Sequence, residues 1–123
     1  MIKKIQILFL TLSVFLIFVN IKGYSGELPK LTVFYSPSCH RCIEAKNEIL
    51  PEIEKEFKDK ILIEYRDTAD IENYKLLLSL KEKYKAKIDI VLPVFYLEGN
   101  FLNAQGEIKN NLKQLIARAL KAA

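Results

Sequence analysis

The sequence predicts an α/β domain, a four-stranded mixed sheet flanked by helices in the order β-α-β-α-β-β-α. Short β-branched and aromatic runs alternate with longer stretches whose apolar residues recur at helical spacing, the pattern of a layered sheet-and-helix domain. The size agrees: 123 residues, half of them apolar and 28% charged, make one globular domain with no low-complexity tract. The domain is expected over residues 27–123, behind an apolar leader, and as a monomer.

Leu31-Thr32-Val33-Phe34-Tyr35 reads as a buried strand stopped by Ser36-Pro37-Ser38. A helix follows from about Cys39 to Phe57, with Ile43, Leu50, Ile53 and Phe57 on one stripe. Pro51 lies inside it, removes a backbone donor, and is expected to kink the helix near Asn47. Ile61 to Tyr65 is the second strand. Thr68 or Asp70 caps a second helix over about 71–85, expected to bury Ile71, Tyr74, Leu77, Leu78 and Leu80. Val91 to Leu97 is the third strand. Pro93 within it demands an edge, a strand start or a special bond geometry, because proline cannot donate to a ladder. Glu98-Gly99-Asn100 turns the chain into a short fourth strand at Phe101-Leu102. The closing helix, about 107–121, buries Ile108, Leu112, Leu115, Ile116 and Ala119.

Charge excludes a nucleic-acid partner. Of the 19 basic residues, Lys3, Lys4 and Lys22 lie in the first 25, which hold no acid, leaving 16 against 15 acidic ones. A near-neutral body cannot neutralise many phosphates. The leader has another explanation. Lys3 and Lys4 precede seventeen uncharged residues, Ile5 to Ile21, and Gly23-Tyr24-Ser25-Gly26 supplies small residues for cleavage. Residues 1–25 are therefore either a signal peptide or an uncleaved anchor crossing a membrane through 5–21. Both send the domain out of the cytoplasm, to a periplasm or the outer face of the cytoplasmic membrane.

The chemistry lies in Cys39-His40-Arg41-Cys42, which holds both cysteines and the only histidine. A structural staple is a poor explanation, since closing a four-residue loop removes only ~2 kcal/mol of unfolded-state entropy against ~3 for fifteen residues. A redox pair explains the spacing. Cys39 at a helix start meets free N–H groups and a dipole that favour an anion, and Cys42 one turn on faces inward, able to attack Cys39 once that sulfur is bound to a partner. His40 and Arg41 oppose the helix dipole, so they are read as thiolate-tuning cations. The same two thiolates form a competing Cu(I)-binding or metallochaperone site; otherwise neither metal nor cofactor is expected. A third reading is a noncatalytic interaction domain. Lys81, Lys83, Lys85 and Lys87 complement a helix C-terminus or, alternatively, contact an anionic membrane surface.

A strand, then Cys-x-x-Cys at a helix start, then a proline heading the third strand resembles the thioredoxin-like superfamily over residues 30–121. Phe34 to Cys42 looks like the active-site stretch of thioredoxin- and glutaredoxin-like proteins. The resemblance implies a thioredoxin fold and thiol–disulfide oxidoreductase activity, with Cys39 the nucleophile and Cys42 the resolving residue. It also implies a cis bond before Pro93 and pairing of Leu92 backbone groups with an extended substrate peptide. Protein thiols and disulfides would be the substrates. With two cysteines the domain cannot move electrons across a membrane, so a separate membrane redox partner is implied. The sequence departs from the family at several points. Ser38 stands where thioredoxins carry Trp, His40-Arg41 replaces Gly-Pro, and Asn103 to Glu107 does not reproduce the Gly-Gly-x-x-Asp glutathione signature. Asp67 is read as a loop or capping residue more readily than as a proton relay.

Overall fold

The first strand, β1 (Lys30–Tyr35), alternates Leu31 and Val33 toward one side of the sheet with Thr32 and Phe34 toward the other, and all four are buried. The computed structural model describes residues 27–122 together with residues 3, 4 and 6. The expected signal peptide or anchor, with its apolar stretch 5–21, otherwise lies outside the described residues. Among the described residues no helix is long and apolar enough to cross a membrane.

Helix α1 runs through three consecutive segments, His40–Glu44, Ala45–Ile49 and Leu50–Glu56. Strand β2 (Leu62–Asp67), helix α2 (Ile71–Lys83), the hairpin β3 (Val94–Leu97) and β4 (Asn100–Leu102), and helix α3 (Ile108–Ala122) follow. The strand order is β2-β1-β3-β4. β1 pairs with β2 in parallel and with β3 antiparallel, so the sheet is mixed. Helices α1 and α3 cover one face through Leu50, Ile53, Leu112 and Ile116, packed on Leu31, Val33, Phe95 and Leu97. Helix α2 covers the other, where Leu77 meets Phe34 and Val94. The α/β class, the four-stranded mixed sheet and the element order are those expected.

Pro51, expected to kink α1 near Asn47, is accommodated by a widened turn instead, and the difference matters for the site. The middle segment is a π turn: Leu50 N–H donates to Ala45 O, five residues back. Widening that turn relieves the clash between the Pro51 ring and the preceding carbonyls. It also inserts one residue into the repeat, rotating everything upstream by about 100°. The buried stripe therefore reads Cys42, Ala45, Leu50, Ile53, Phe57. Ile43, expected on that stripe, is 48% exposed instead.

Helix α2 also departs from expectation. Asp70 caps it, its carboxylate accepting from Glu72 N–H at 2.9 Å. Apolar residues occupy two stripes, and the sheet takes the one holding Leu76, Leu77 and Leu80, leaving Ile71, Tyr74 and Leu78 exposed. The last helix matches its pattern, with all five expected residues buried. Pro93 stands immediately before β3, an interior strand, and its bond to Leu92 is cis. The β3–β4 turn has Glu98 at φ 47° and Gly99 at φ 84°, the left-handed pair of a two-residue hairpin. The Gly99 backbone packs so near the Tyr84 ring that a Cβ there would lie 2.9 Å from it.

Candidate redox site

The site forms where β1 ends and α1 begins. Tyr35 O accepts from Thr68 N–H at 2.8 Å and from the Thr68 hydroxyl at 3.1 Å, fixing the strand end to the loop after β2. Ser36 to Cys39 is a turn closed by Cys39 N–H donating to Ser36 O at 3.1 Å, with Pro37 at the position where its fixed φ is favoured. That turn delivers Cys39 to the N-cap of α1 in an extended conformation, φ −83° and ψ 116°.

Cys39 takes the capping role usually filled by an oxygen. Its Sγ accepts from Cys42 N–H at 3.2 Å, so a backbone dipole of the first helical turn points at the sulfur. The thiol in turn donates to Leu92 O at 3.6 Å, across the loop that precedes β3. Cys39 is half-buried and reachable from solvent. Cys42 is 5% exposed, and both sulfurs are free thiols. Burial first, then the hydrogen bond with Cys39, pushes the Cys42 thiol from 9.0 up to about 12. At neutral pH the inner sulfur is therefore a protonated thiol.

Leu92 and Pro93 thus join Cys39 and Cys42 in one place, Pro93 fully buried and the Leu92 carbonyl directed at the outer sulfur. His40 is exposed at the first position of α1. Arg41 is hydrogen-bonded to backbone carbonyls rather than to either sulfur: its guanidinium donates through Nη1 to Ala104 O and through Nη2 to Gly106 O, the latter at 3.3 Å. Asp67 is a loop residue, its carboxylate accepting from Ala69 N–H at 2.8 Å. Of the basic tract, Lys81 and Lys83 lie in the last turn of α2, and Lys85 and Lys87 follow its end.

Two features were absent from the sequence reading. Beside Cys42 a shallow groove of about 310 Å³ is lined by Tyr35, Ser36, Pro37, Ile43 and Lys46. It exists because the π turn directs Ile43 outward, and Pro51 was its only sequence signal. The partners of Arg41 lie 63 and 65 residues away, with no local pattern to announce them. Among the described residues no three His, Cys, Asp or Glu side chains converge as a metal site. No protein-family model matches the chain.

Proposed function

We propose that the protein is a thiol–disulfide oxidoreductase of thioredoxin-like topology, acting on protein disulfides outside the cytoplasm. The observation that carries this reading is the inequality of the two sulfurs. Cys39 is accessible and accepts a helix N–H, whereas Cys42, one turn on, is buried and held as a thiol. A structural disulfide or a symmetric two-thiolate copper site has no need of that asymmetry. The location rests on the leader, with its lysines followed by Ile5 to Ile21.

In the reducing direction, the Cys39 thiolate attacks a substrate disulfide. A Cys39–substrate S–S bond forms, the substrate's own S–S bond breaks, and its second sulfur leaves as a thiolate that takes up a proton. Cys42 then gives up its proton and attacks Cys39 Sγ. The Cys39–Cys42 disulfide forms and the substrate departs with two thiols, having gained two electrons. An external dithiol restores the starting state, and the oxidising direction is the reverse. In the mixed disulfide the Leu92 carbonyl lies beside the substrate sulfur and can accept a backbone N–H from the bound chain, as in strand addition. Substitution Cys39→Ser is expected to reduce dithiothreitol-driven insulin reduction to the rate of dithiothreitol alone. Full activity in that variant contradicts the assignment.

A further inference from the structure

We propose that Arg41 is a positioning residue for the segment that receives the substrate chain, rather than a charge tuning the Cys39 thiolate. The inference rests on the thiol–disulfide reading above and assigns one of its residues a different task. Although Arg41 lies between the two cysteines, both of its terminal nitrogens are spent on carbonyls of the loop after β4, Ala104 and Gly106. That loop continues the connection. Ala104 N–H donates to Val91 O at 3.1 Å, and Asn103 Nδ2 donates to Asp89 O at 2.8 Å. Gln105 Nε2 adds a bond to the Asp89 carboxylate at 3.3 Å.

Asp89 to Val91 leads directly into Leu92, whose carbonyl faces Cys39 Sγ. Residues 86–91 have no helix or strand ladder of their own, so their position depends on bonds of this kind. The path therefore closes a ring: first turn of α1, loop 103–106, segment 89–91, Leu92, and back to the outer sulfur. Arg41 suits the task because its planar fork satisfies two acceptors at once. The single ammonium of a lysine carries the same charge without that geometry.

Charge and geometry can be separated by Arg41→Lys, made in the full chain alongside Arg41→Met. With insulin as the disulfide substrate, both variants are expected to raise KM by about tenfold, the effect of losing a charge-assisted hydrogen bond. The loss should fall on KM more than on kcat. Alkylation of Cys39 by iodoacetamide and the reduction potential of the Cys39–Cys42 couple should stay at wild-type values. Asn103→Ala, at the far side of the connection, should raise KM in the same direction by a smaller factor, and it carries the test if an Arg41 variant fails to fold. A wild-type KM in Arg41→Lys together with a shifted potential in Arg41→Met would overturn the proposal in favour of thiolate tuning. Amide exchange at Ala104 is independent of catalysis. Faster exchange in Arg41→Lys supports the tether even if Cys39→Ser shows the activity assignment to be wrong, and unchanged exchange removes it.

Discussion

Cys39 and Cys42 are one helical turn apart, yet their surroundings have little in common. The first caps a helix, touches solvent, and exchanges hydrogen bonds with a backbone N–H and a loop carbonyl. The second follows the buried stripe of α1 inward, and desolvation holds it as a thiol. The difference comes from backbone rather than from the residues between them. A turn ending in Cys39 sets the outer position, and the π turn ahead of Pro51 rotates Cys42 onto the face that α1 presents to the sheet. Two identical side chains thus acquire two different environments, one accessible and one buried, as the proposed exchange would need of an attacking and a resolving sulfur.

The largest effect that would sharpen this contrast is expected from Cys42→Ser. Without the inner sulfur the first exchange still runs, so the variant should accumulate a one-to-one mixed disulfide with insulin and lose multiple turnover. Mass spectrometry under non-reducing conditions reads the adduct. Its absence, with turnover retained, would mean that the inner sulfur is not the resolving group.

A smaller effect concerns stability against pH. The folded-state pKa of Cys42 is raised above its unfolded value, so the fold binds this proton more tightly than the unfolded chain does. The resulting stability is fully present below about pH 9 and is lost as pH rises toward about 12. Unfolding free energies from urea titrations across that window should fall less steeply in Cys42→Ala than in the wild type, by up to about 1.4 kcal/mol per pH unit. Identical slopes would indicate that the inner thiol is not buried in solution.

Much of the site could be read from the chain alone. Ser36-Pro37-Ser38 followed by helical spacing marks Cys39 as a helix start, whereas the burial of Cys42 rests on the residue inserted ahead of Pro51. The α3 pattern was legible because its apolar residues form a single stripe. Helix α2 was not, since Ile71, Tyr74 and Leu78 form a second apolar stripe that competes with Leu76, Leu77 and Leu80, and only tertiary packing decides between them. The exposure of Ile43 depended on how Pro51 would be accommodated, as a kink or as an inserted residue, and periodicity cannot distinguish these. Arg41 was the furthest from view. Its sequence neighbours suggested the sulfurs as partners, while its hydrogen bonds reach a loop more than sixty residues along the chain.

Competitive alkylation of the fully reduced protein at pH 7, followed by peptide mass spectrometry, tests the inequality of the two sulfurs most directly. Rapid modification of Cys39 is expected, with Cys42 unmodified until the fold is opened by denaturant. Equal rates at both positions, or faster labelling of Cys42, would contradict it.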